Sequence, residues 1–192
     1  AQTVKEPDGG TVHELIEIAL DQSIDPDDVR IVLYDGDASS GDSDVYNEFQ
    51  LSTFVSDGTA FDTVPGEMIL YSRIFTGDVL QNGGANGDGI AIVFTNQEGE
   101  EEVMQFVSYE GDLDGDNIGF TATSGPAAGK PSLLIPLSEN ETSKVGSSIG
   151  LTGHKTFFNM GDWTAFATNS AYPLPLLNDG QKIEIADGTY GG

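Results

Sequence analysis

Short apolar runs, each stopped by Gly, Asp or Pro, constrain this chain more than any other feature. "VRIVLY" (Val29–Tyr34) is β-branched and ends at "DGD". "NEFQLSTF" (Asn47–Phe54) alternates, with Phe49 and Leu51 on one side. "EMILYSRIF" (Glu67–Phe75) follows Pro65-Gly66, and "GIAIVFT" (Gly89–Thr95) follows the turn-rich "QNGGANGDG". "EEVMQFVSY" (Glu101–Tyr109) sets Val103, Gln105 and Val107 against Met104, Phe106 and Ser108. "PSLLIPL", "SSIGLTG", "DWTAFAT" and "QKIEI" are later strand candidates. Short strands with turn residues every 8–15 residues or so predict an all-β sandwich or barrel. "HELIEIAL" (His13–Leu20) suits a short helix as well as a strand, since eight residues do not separate the two periods.

Local turn chemistry adds detail. "TNQEGEE" joins two strands into a hairpin, with Gly99 available for a left-handed position. "TSGPAAGKP" (Thr123–Pro131) is a compact loop, because Pro126 fixes φ while Gly125 and Gly129 permit bends. Asp25-Pro26 in "DQSIDPDD" reads as a turn initiator, so Asp25, Asp27 and Asp28 are punctuation rather than ligands.

The chain has 192 residues, 38% of them hydrophobic, which is enough for a core without disulfides or metals. Cysteine is absent, so there are neither bridges nor thiolate chemistry. No stretch approaches the roughly 18 apolar residues of a membrane span. Thirty-two acids face seven bases, for a formal net charge of −25. Such a surface repels nucleic-acid phosphates and anionic lipids and attracts cations. The acids are interleaved with apolar runs rather than gathered in blocks, which argues for a folded chain over an acidic disordered one. Salt or divalent ions screen the self-repulsion, so a saline, extracellular setting is expected. The opening "AQT" has the form left when a signal peptidase cuts after a small residue.

Several motifs occur in the order seen in a known family. "DGIAIVFTNQEGEEEVMQFVSYEG", "FTATSGPAAGKPS", "KVGSSIGLTG" and "DWTAFAT" resemble the second half of bacterial lamin-tail-like domains. "HELIEIAL" and "VRIVLYDGDASSGDSDVYNEFQLS" resemble, more loosely, strands of the first half. The likeness covers most of residues 12–178. It implies an immunoglobulin-like β-sandwich of a secreted or surface protein, with a binding or structural rather than catalytic role. It also sets out the expected organisation: an N-terminal segment (1–11), a sandwich domain (12–180) and a C-terminal strand or tail (181–192). Two departures stand out. The family's opening strand is replaced by "AQTVKEPDGGT", and "DLDGDNIG" is inserted between "SYEG" and "FTAT".

That insertion carries the main candidate site. Glu110, Asp112 and Asp114 alternate ahead of Gly115, with Asp116 next, which is the carboxylate spacing of the first half of an EF-hand loop. Alternate acids on a turning loop converge on one point and suit Ca²⁺, which takes six to eight oxygens. The twelfth position is Thr121 rather than a bidentate Glu, and no flanking helices are evident, so a ligand from another loop has to complete the shell. The competing reading is a solvated acidic hairpin tip. Asp35, Asp37, Asp42 and Asp44 form a second cluster, read as another hydrated tip.

Catalysis finds little support. The only histidines are His13 and His154, no carboxylate pair stands out as acid and base, and neither a P-loop nor a zinc spacing occurs. Trp163, Phe157, Phe158 and Tyr172 offer an aromatic platform for sugar, against which Trp163 reads as a core residue. "NET" at Asn140 is a glycosylation sequon in form. The expected role is a non-catalytic structural or adhesive protein. A carbohydrate- or partner-binding accessory module of a secreted hydrolase is the alternative, and extracellular glycans are candidate partners. Self-association is a further expectation. A sandwich lacking its first strand exposes an edge that a strand from a neighbour can fill, giving a homo-oligomer or open filament. "QKIEIADGTYGG" is the candidate donor, with Ile183 and Ile185 alternating with charged residues. The commoner outcome is that this strand closes its own sheet.

Overall fold

The computed structural model describes residues 13–36, 44–63, 66–76, 79–81, 87–109, 118–137, 148–151, 163–166 and 183–186. They are almost entirely β-strand, with two short 3-10 turns at Pro26–Asp28 and Leu51–Thr53. The strands divide between two compact units, each built on one six-stranded sheet.

The first sheet holds β1 (His13–Asp21), β4 (Val55–Thr63), β5 (Gly66–Thr76), β10 (Ser148–Leu151), β11 (Trp163–Phe166) and β12 (Ile183–Ala186), in the order β11-β10-β12-β1-β5-β4. Every neighbouring pair is antiparallel. "HELIEIAL" is therefore strand: β1 pairs with β5 from His13↔Thr76 to Asp21↔Met68, and this long ladder outweighs its helix-compatible spacing. Ile16, Ile18 and Leu20 are buried on one face of β1, Leu15 on the other. Glu14 is buried with them, and its Oε2 accepts the backbone N–H groups of Val79 and Leu80, each at 2.8 Å. Phe54 and Phe75 meet edge to face at 6.4 Å, and the Arg73 guanidinium lies 5.8 and 5.1 Å from their centroids. The C-terminal strand β12 sits inside this sheet, between β10 and β1.

The second sheet holds β2 (Val29–Tyr34), β3 (Val45–Gln50), β6 (Asp88–Thr95), β7 (Glu101–Tyr109), β8 (Ile118–Thr121) and β9 (Pro131–Leu134), in the order β3-β2-β6-β7-β9-β8. All pairs are antiparallel except β7–β9. β2 is buried on both faces from Ile31 to Tyr34, which is why that part reads as an unbroken apolar run after Arg30. Val32 and Tyr34 join Ala91, Val93, Phe106, Phe120, Ala122 and Ala127 in one cluster. Ala127 belongs to the Thr123–Pro131 loop and Ala122 directly precedes it; in that loop Gly125 and Gly129, expected to permit bends, take left-handed φ values of 65° and 76°. Gly99 does the same in the β6–β7 hairpin, at 81°. Asp25 caps the first 3-10 turn through an Asp27 N–H bond of 3.0 Å, confirming it as punctuation. Arg30 forms ion pairs with Glu48 of β3, at 2.8 Å, and with Glu101 of β7.

Candidate acidic end of the second sheet

The ends of β2, β7 and β9 and the starts of β3, β6 and β8 lie at one end of the second sheet. β2 leaves it at Tyr34, which stands opposite both Val45 at the start of β3 and Gly89 near the start of β6. Asp88 at the start of β6 stands opposite Tyr109, the last residue of β7. Ile118, the first residue of β8, stands opposite Leu133, which is in turn opposite Val107. The segment from Tyr109 to Ile118 therefore begins and ends at the same sheet end as the β2–β3 connection.

Glu110, Asp112, Asp114 and Asp116 lie outside the described residues, but both stems of their segment are firmly held. Tyr109 is buried, and its hydroxyl donates to Gln81 O at 3.0 Å. The hydroxyl of Tyr46, on β3, accepts the N–H of the same Gln81 at 3.2 Å. On the other stem, Phe120 packs edge to face on Phe106 with centroids 5.5 Å apart. Its N–H donates to Ser132 Oγ at 3.0 Å, and its carbonyl accepts from that hydroxyl at 3.1 Å. Ser132 and Ser108 share a 3.0 Å bond beneath them. Glycine permits this close approach. A Cβ at Gly89 would stand 2.7 Å from the Phe120 ring, and one at Gly119 would run into both serine hydroxyls.

The second acidic cluster reaches the same end. Asp35 N–H donates to Asp44 O at 2.9 Å, closing the base of the β2–β3 connection. Asp44 is exposed, and its Oδ1 accepts from Thr123 Oγ1 at 3.2 Å. Asp37 and Asp42 lie outside the described residues. Asp88 was not singled out in the sequence, where "GDG" reads as a turn. It is buried, and its Oδ1 accepts the N–H of Gly36 at 3.2 Å.

Chemically, the fold supplies carboxylates from separate connections to one sheet end. A hard cation needs such a set, because one loop rarely fills six to eight oxygen positions. Among the described residues no group of three or more His, Asp or Glu is placed to hold a metal. The four loop acids fall outside that set.

Asp25, Asp27 and Asp28 are at the 3-10 turn. His13 starts β1, and Trp163 starts β11 opposite Leu151. Phe157, Phe158, Tyr172, His154 and Asn140 lie outside the described residues. Among the described residues no helix is long and apolar enough to cross a membrane. Comparisons with family models, curated proteins and solved structures give no match for this chain.

Proposed function

We propose that this is a secreted, non-catalytic structural or adhesive protein that binds Ca²⁺ at the acidic end of its second sheet. The single observation that supports the reading is that Tyr109 and Ile118, which flank the Glu110–Asp116 segment, lie at the same sheet end as Asp35, Asp44 and Asp88. Glu110, Asp112, Asp114 and Asp116 supply the first carboxylates. The β2–β3 connection supplies the oxygens that replace the missing twelfth-position Glu. A net charge of −25 favours cation capture and suits an ion-rich medium outside the cell.

We infer an immunoglobulin-like sandwich fold of the lamin-tail-like type. The ordered motifs in the sequence support that reading, and the two six-stranded sheets are compatible with it. Titration calorimetry with CaCl₂ tests the site. Saturable binding should weaken at least tenfold in the double variant Asp112→Asn/Asp114→Asn. Affinity that does not change on this substitution overturns the assignment.

A further inference from the structure

We propose that β12 is an exchangeable strand, and that the slot between β10 and β1 accepts β12 from a second copy of this chain. The proposal deepens the structural reading by naming a partner and the surface it uses.

The sheet order carries the argument. β12 is the last of the described strands, yet it lies inside its sheet, antiparallel to β10 and to β1. Withdrawing it leaves two facing unpaired edges, and such edges recruit strands. The slot is matched to its occupant. Ile185 stands opposite Ile16 on one side and Ile149 on the other, and both of these are buried. Ile183 stands opposite Ile18, also buried. Main-chain pairing on both sides combined with apolar residues at alternate positions is the pattern of strand complementation.

Two further features favour exchange over other modes of association. The outer strands of both sheets are poor templates for edge-on addition. β8 and β11 are four residues long, and β3 and β4 carry register shifts against β2 and β5. Short or bulged edges resist pairing with another chain. In addition, β11 and β12 are both antiparallel to β10 and so run parallel to each other. A connection from the end of β11 to the start of β12 within one chain therefore has to travel back along β10. A neighbour's slot presents the same walls without requiring the return. Each donated strand leaves the donor's own slot open to the next copy, so repetition builds an open chain.

The absence of cysteine from the sequence permits a direct test on the full chain. Leu15 and Ala186 are register partners. Facing Cα atoms of an antiparallel pair lie about 4.5–5.5 Å apart, within the range of about 4.4–6.8 Å that a disulfide spans. The double variant Leu15→Cys/Ala186→Cys is oxidised at rising protein concentration and run on a non-reducing denaturing gel. Exchange predicts bands at multiples of 20.3 kDa whose share grows with concentration. Monomer closed by an internal disulfide at every concentration overturns the proposal, and so does failure of any disulfide to form. Circular dichroism of the reduced variant checks its fold. If that variant misfolds, Ile18→Cys/Ile183→Cys, a second register pair, is read in the same way. The outcome is separate from Ca²⁺ binding: a closed monomer that still takes up Ca²⁺ sinks exchange alone, and a ladder without Ca²⁺ uptake sinks only the site.

Discussion

The hydroxyl of Tyr34, on β2, accepts a 3.0 Å hydrogen bond from the backbone N–H of Ala127 in the loop that covers it. Tyr34 is fully buried, and its ring lies 5.1 Å from that of Phe106. One residue thus ties the loop leading into β9 to the buried cluster of the second sheet. Tyr34→Phe keeps the ring and leaves the Ala127 N–H buried without its acceptor. It should lower unfolding stability by about 1–3 kcal/mol, measured by urea denaturation.

The same residue sets a pH dependence. Burial pushes the Tyr34 hydroxyl above its ordinary value of 10.0, although the Ala127 N–H acts in the opposite direction. A raised folded value means that the native state holds this proton more tightly. The resulting stabilisation is complete below pH 10 or so and disappears as pH rises through the folded value. The stability gap between wild type and Tyr34→Phe should therefore narrow above pH 10 or so. A gap that stays constant to pH 12 would contradict this role.

Gly119 tests the close packing beside the acidic segment. A Cβ there would collide with Ser108 Oγ and Ser132 Oγ, which are buried and bonded to each other. Gly119→Ala should destabilise by roughly 1–3 kcal/mol through overpacking. Gly99→Ala instead meets open space, at φ 81°, and pays only for its left-handed backbone. Denaturation midpoints should rank wild type first, then Gly99→Ala, then Gly119→Ala.

Across the β12–β1 seam, Glu184 stands directly opposite Glu17, which is only 3% exposed. Facing like charges weaken a strand pair, so Glu184→Gln should stabilise the protein by roughly 0.2–1 kcal/mol. An unchanged or lower thermal midpoint would count against this register.

These elements differ in how plainly the sequence announces them. β2 and β7 match their sequence runs residue for residue, because turn residues bound them: Asp35-Gly36 follows β2 and the Gly99 turn precedes β7. β3 stops at Gln50, before the "LST" that continues its alternation. The Gln50 side chain turns back to the carbonyl of Val29 at 3.0 Å, and Thr53 Oγ1 bonds the Gln50 carbonyl. β4 was not anticipated. "VSDGTAFDT" contains Asp57-Gly58, which looks like a turn, and its register shifts between Ser56 and Ala60. The acid spacing from Glu110 to Asp116 was visible as a candidate loop. That its stem at Tyr109 shares a sheet end with Asp35 and Asp44 was not, because that depends on long-range pairings such as Tyr34↔Gly89 and Asp88↔Tyr109. Asp88 gave no signal beyond a residue in a glycine-rich turn.

Thermal unfolding with and without Ca²⁺ tests the proposed function most directly. A ligand held only by the native state stabilises it by about 2.7 kcal/mol at one hundred times its dissociation constant. Saturating Ca²⁺ should therefore raise the wild-type midpoint by several degrees over a chelator-treated sample, and Asp114→Asn should remove most of that rise. If neither chelation nor the substitution moves the midpoint, the Glu110–Asp116 segment is a hydrated turn and the Ca²⁺-binding role falls.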